Sequence, residues 1–296
     1  MKDNQINIET NKLCIGTVQF GLDYGIANQK GQVSFKESKS ILKFAKESGI
    51  HCLDTAIAYG ESEKILGEIG VKDWQIISKL PALPDNSIYD WTRQSIAESL
   101  KRLKINNLYA ILLHHPQDLF SIHGDRLYQA LIQLKSDKLI KKIGISIYDP
   151  LELEKLTHDF DFDIIQSPMN FFDRRLLETG WLKKLHKKGI EIHIRSIFLQ
   201  GLLLMSEKER SAKFDKWRSL WDKWHCWLLD ANLSPLQACL GFINQFSNID
   251  KLIVGVDNVI HLEEILLALQ TDIIQYPDEL QSDDINLINP SRWKSL

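Results

Sequence analysis

The chain lacks most of the features that would assign it a partner by charge or by motif. Lys and Arg number 36 against 39 Asp and Glu, a net charge of −3. That balance lacks the positive stripe with which a protein neutralises a phosphate backbone, so nucleic acid is excluded as the main partner. One basic run, Lys183-Lys184-Leu185-His186-Lys187-Lys188, falls at the end of a predicted helix. Cations there complement the helix dipole, and the run reads as a solvated terminus. The four cysteines, Cys14, Cys52, Cys226 and Cys239, lie in apolar segments without CxxC or metal-ligand spacing. They read as buried, reduced thiols, and no metal site is expected. No apolar run approaches the ~18 residues of a membrane span, and residues 1–10 carry no apolar signal-peptide core. The expected setting is the cytoplasm, away from membranes. No Pro- or Ser-rich linker breaks the composition, which leaves residues 1–296 as one domain.

What is present is a rhythm. Short apolar runs at 13–20, 51–54, 75–79, 109–114, 142–146, 164–167, 191–196 and 252–256 read as strands. Helix-length amphipathic stretches separate them, at 34–48, 92–104, 125–140, 151–158 and 174–188. In the first, Ile41, Phe44 and Ala45 form an i, i+3, i+4 stripe. Ser48-Gly49-Ile50 and Lys188-Gly189-Ile190 each stop a helix at a glycine that leads into a strand. Such alternation makes a parallel sheet, and eight units in 296 residues predict an α/β fold, the closed (β/α)8 TIM barrel. An open doubly wound sheet would show GxGxxG after its first strand. The chain instead reads Gly16-Thr17-Val18-Gln19-Phe20-Gly21. Before the last strand, Trp217, Trp221, Trp224 and Trp227 fall on one helical face. They read as core or interface packing, with a roof over the barrel mouth or a dimer contact as further roles.

The C-terminal ends of barrel strands converge on one rim. Asp54 ends the second predicted strand, and Tyr59 follows five residues later, before Gly60. Lys79 ends the third, and the fourth runs into His114-His115-Pro116. Together these make a proton-transfer set. A free phenol has a pKa of about 10. A neighbouring ammonium would lower it, a carboxylate would hold the ammonium, and a histidine N–H would polarise a carbonyl. Adjacent histidines on a strand face opposite ways and do not share a metal. A Schiff-base isomerase or lyase built on Lys79 is a second chemistry open to the same residues. Val18, Phe20 and Tyr24 follow the first strand and either line the pocket or pack in the core.

In order along the chain stand Leu13-Cys14-Ile15-Gly16-Thr17, Asp54-Thr55-Ala56 with Tyr59-Gly60 and Glu63, and Ser78-Lys79. Then come Leu113-His114 with Pro116, Ile143-Gly144-Ile145-Ser146, Gln166 with Asn170, Leu199-Gln200-Gly201-Leu202-Leu203, and Ile253-Val254-Gly255. This series resembles the aldo-keto reductase superfamily along nearly the whole chain. The resemblance implies a catalytic tetrad of Asp54, Tyr59, Lys79 and His114, the last chosen over His115 by its spacing from Pro116. It implies reduction of an aldehyde, ketone or sugar carbonyl with NAD(P)H, or the reverse oxidation. A cofactor-binding regulatory subunit is the alternative that such barrels also allow. By the same resemblance the cofactor contacts are Gly16, Thr17, Asp54, Ser146, Gln166, Arg195, Ser196, Phe198, Gln200, Gly201, Gly255 and Asp257. Ile147 stands where the family has asparagine, and Arg195 where it often has an aromatic on the nicotinamide. The resemblance implies NADPH. Asp257, however, replaces a base near the 2′-phosphate, so NADH is expected to serve at least as well, with Asp257 accepting from a ribose hydroxyl. The other role open to Asp257 is capping the following helix.

Overall fold

Eight parallel strands pair in sequence order and the last pairs with the first, closing the barrel. They are β1 (Leu13–Gly16), β2 (Cys52–Asp54), β3 (Gln75–Leu80), β4 (Leu108–Leu113), β5 (Ile140–Ser146), β6 (Ile164–Pro168), β7 (Glu191–Arg195) and β8 (Lys251–Gly255). These come from a computed structural model, which describes residues 10–28, 30–84, 88–271 and 275–295. Residues 1–9, where no signal core is expected, lie outside the described residues. Helices of the outer layer are α1 (Phe35–Glu47), α2 (Ser62–Ile69), α3 (Ile88–Leu103), α4 (Gly124–Ser136), α5 (Leu153–Asp159) and α6 (Trp181–Lys187). They continue as α7 (Arg218–Asp230), α8 (Pro235–Asn244) and α9 (Val259–Ala268). No helix among the described residues is long and apolar enough to cross a membrane.

All eight predicted strands are present, and the departures lie at their ends. The first stops at Gly16, and Val18–Gly21 turns into a helix. Thr17 causes the turn: its N–H and hydroxyl both donate to the Asp54 carbonyl, at 2.9 and 3.0 Å. Phe20 goes to the core and not the pocket. The predicted helix over 174–188 is split at Gly180, whose φ of +74° suits glycine. The one over 125–140 ends early, because Ile140 already pairs with β4.

Burial is two-layered. Leu13, Ile15, Leu53, Ile76, Ile111, Ile143 and Ile165 face the helices within the main core. Their neighbours Cys14, Cys52, Ile77, Ala110, Leu112, Ile164 and Ile253 form a second cluster inside the barrel. Cys14, Cys52 and Cys239 are buried as expected, but Cys226 is exposed on α7. The apolar residues around it belong to the inner face, where Trp221 and Trp224 are buried. The rings of Phe171 and Trp224 lie 4.7 Å apart, those of Phe172 and Trp221 5.1 Å. The tryptophan stripe therefore seals the segment after β6 and packs as core.

Glu63, on α2, ties the layers together. It is buried and accepts from Ser78 on β3 and Ser99 on α3, each at 2.7 Å, and from Arg102 Nε at 2.9 Å. Removing the carboxylate strands three donors, so Glu63→Ala should cost about 2–4 kcal/mol. A lower urea midpoint with an unchanged slope would register it; an unaltered midpoint would contradict this role.

Candidate active site

Strand register decides which side chains meet. Asp54 pairs with Ile77, so Lys79, two residues along β3, faces the same lumen one layer higher. Lys79 pairs with Leu112, and His114 lies two residues beyond it. Across the barrel Ser146 pairs with Gln166, Gln166 with His193, and Arg195 follows two residues later. Gly16 pairs with both Asp54 and Gly255. Alternation thus brings Asp54, Lys79, His114, Ser146, Gln166 and Arg195 to one rim.

That rim opens into a cavity of about 420 Å³ whose lining extends from Tyr59 and His114 to Asp257 and His261. Every site residue expected from the sequence lines it except Lys79, which is buried behind Asp54. The Lys79 ammonium donates to Asp54 Oδ1 at 2.5 Å, the Thr55 carbonyl at 3.0 Å and the Tyr59 hydroxyl at 3.5 Å, so all three N–H groups have partners. Asp54 Oδ2 accepts from Gln166 Nε2 at 2.7 Å, and Gln166 Oε1 accepts from Ser146 at 3.1 Å. Tyr59 and His114 meet edge to face, with centroids 5.9 Å apart. His115 is exposed and does not line the cavity. Tyr59 is held by its loop. A Cβ on Gly21 would lie 1.8 Å from the Tyr59 carbonyl, and one on Gly60 2.5 Å from the Gly21 carbonyl, so only glycines permit this approach.

Electrostatics depart from expectation at the phenol. Burial raises the Tyr59 pKa, and Lys79, which lowers it, does not overcome that, because Asp54 opposes Lys79. The phenol is therefore a proton carrier through neutrality. Burial works against the Lys79 charge, yet Asp54 and Tyr59 prevail and its pKa is raised. A permanent ammonium is a poor Schiff-base nucleophile. Burial, helped by Lys79 and Arg195, drives His114 down to about 3, so its ring is neutral and offers one N–H.

The two departures from the family pattern fit each other. The Ile147 side chain is fully buried, and its carbonyl accepts from Arg195 at 2.9 Å. The guanidinium lies 4.4 Å from the centroid of Tyr148. Tyr148, Gln19 and His261 line the cavity without having been expected there; Tyr148 was the legible one, two residues past a strand end. Ser196, Leu199 and Gln200, with φ of +58°, +49° and +53°, crowd left-handed backbone into the turn after β7, a form of strain that gathers at functional sites. Asp257 does not cap α9: Asn258 does, accepting from the His261 N–H at 2.9 Å. Asp257 instead lines the cavity with Oδ1 buried and, among the described residues, unpartnered, and burial raises its pKa.

With its pKa at about 3, His114 should stay neutral across the ordinary range. Ring ¹⁵N shifts flat between pH 5 and 8 are expected; a titration near 6.5, the free imidazole value, would contradict the burial argument.

The family model described as the aldo/keto reductase family matches residues 12–280. Among curated relatives, the D-threo-aldose 1-dehydrogenase of a Pseudomonas species is 27% identical over 246 residues, covering 68% of this chain and 74% of that protein. The glyoxal reductase of Bacillus subtilis is 26% identical over 175 residues, 58% of this chain and 62% of that protein. In fold, the chain superposes on an aldo-keto reductase from Bacillus halodurans in its holo form with a TM-score of 0.70. That match has 18% identity and covers 89% of this chain and 88% of the other. The closed barrel and a match over residues 12–280 together establish that this chain belongs to the aldo/keto reductase family.

Proposed function

We propose that the chain reduces an aldehyde, ketone or sugar carbonyl to the alcohol, using a reduced nicotinamide dinucleotide, with Tyr59 as the proton donor. The observation that carries this is the chain of contacts from Asp54 through Lys79 to Tyr59, opening beside His114 into a cavity. Tyr59 gives its proton to the carbonyl oxygen. Lys79 stabilises the phenolate left behind, and Asp54 keeps Lys79 charged and in place. His114, neutral, donates an N–H to the same oxygen and orients it. A bound nicotinamide supplies the hydride.

The cavity residues suit that cofactor. Gly16 and Gly255 line one wall, and the Gln19 amide packs across Gly255, where a Cβ would meet it at 2.2 Å. Ser146 and Gln166 present hydroxyl and amide groups for a carboxamide, and Thr17, Ser196, Phe198, Gln200 and Gly201 line the remainder. Arg195 places a cation in the cavity, which disfavours the positively charged oxidised ring and favours the reduced one. The unpartnered Asp257 Oδ1 suits a ribose hydroxyl and repels a 2′-phosphate, so NADH should serve at least as well as NADPH. Small aldehydes and sugars are the substrates to screen, since the relatives named above include an aldose dehydrogenase and a glyoxal reductase.

Screening such carbonyls with both cofactors tests the reading. Tyr59→Phe should lose about 10²–10⁴-fold in turnover while still binding cofactor; full activity in the variant would overturn the assignment. A hundredfold preference for NADPH would overturn the role of Asp257. Because the Tyr59 pKa is raised, the acid form persists through neutrality and declines only above about pH 10. Reduction should accordingly show no fall between about pH 6 and 9, whereas a phenol lowered by Lys79 would give a decline near pH 8.

A further inference from the structure

At the opposite end of the barrel from Tyr59, a second cavity of about 290 Å³ opens among the connections that enter β3, β4 and β5. Lys72, Lys104 and Lys141 line it, with Trp74, Asn106 and Asn107 between them, and among the described residues no acidic side chain does. The acids close by are already taken: Glu191, which accepts from the lining residue Tyr109 at 2.8 Å, is paired with Lys142. Asp73, the acid next to Lys72, is turned to Lys46 at 3.0 Å. None of the three lysines has an ion-pair partner among the described residues. Lys104, moreover, sits at φ +56° just past the end of α3, a position where glycine is the unstrained choice. The chain carries a strained cation there.

We propose that this floor cavity is a binding site for a small phosphate-bearing anion, separate from the active site. Three exposed lysines around one cavity give its mouth a positive field, which draws a ligand of two or more negative charges. The Asn106 and Asn107 amides add neutral donors, and the Trp74 indole gives a ring wall for an organic portion. The volume exceeds that of a lone ion and suits a phosphorylated metabolite.

The test is calorimetric titration of the full chain with inorganic pyrophosphate at low ionic strength. A site is expected that persists when saturating NADH fills the barrel mouth, and that weakens as salt rises. The triple variant Lys72→Gln/Lys104→Gln/Lys141→Gln should bind about tenfold more weakly, while Arg195→Met, at the barrel mouth, should bind as the parent does. Absence of binding up to about 10 mM, a triple variant that titrates like the parent, or loss of binding in Arg195→Met would each overturn the proposal. Should the triple variant fail to fold, the single variants carry the same comparison, each expected to weaken binding about twofold.

Discussion

A lysine ammonium with 1% exposure is the constraint on which the mouth of this barrel depends. Taking such a charge out of water costs several kcal/mol, and only a close counter-ion with all remaining donors satisfied offsets that. Asp54 at 2.5 Å and the Thr55 carbonyl supply most of this for Lys79, and the Tyr59 hydroxyl takes the third N–H. The same carboxylate is held from the other side by Gln166, and its own backbone carbonyl is gripped by Thr17. The pair, itself on β2 and β3, is therefore braced from β6 and from the turn that follows β1. Movement of any of those strands would expose or strand a charge.

The cost of that burial shows at the neighbouring groups. Tyr59 keeps its proton because the low-dielectric pocket disfavours phenolate more than Lys79 favours it. His114 loses its charge for the same reason, with two cations adding to it. One environment thus yields a neutral donor phenol, a neutral imidazole and a charged lysine, which are the three protonation states that the proposed reduction asks of them.

How much of this was legible in the sequence follows from physics. The barrel and the Asp54, Lys79 and His114 positions were legible because strand alternation and strand ends are local patterns, and register then brings them together. Tyr59 was legible only through Gly60, its distance from Asp54 and the family resemblance. The direction of its pKa was not, since desolvation depends on surroundings that no local pattern records. Ile147 and Arg195 looked like two unrelated departures; only the path of the backbone shows the carbonyl of one anchoring the guanidinium of the other. Asp257 and Asn258 are both good capping residues, and which one caps α9 is decided by a dihedral, leaving Asp257 to the cavity. The end of β1 at Gly16 was illegible because it is set by a contact from Thr17 to a residue 37 positions away.

The most direct test of carbonyl reduction at this site is the fate of isotope from cofactor labelled with deuterium at the transferable position of the nicotinamide. Incubation with a panel of short aldehydes and aldoses, followed by mass spectrometry, should find one deuterium on the new carbinol carbon. Tyr59→Phe should abolish that product. Alcohol formed without label, or no label transferred to any carbonyl by an enzyme that binds the cofactor, would contradict reduction through Tyr59.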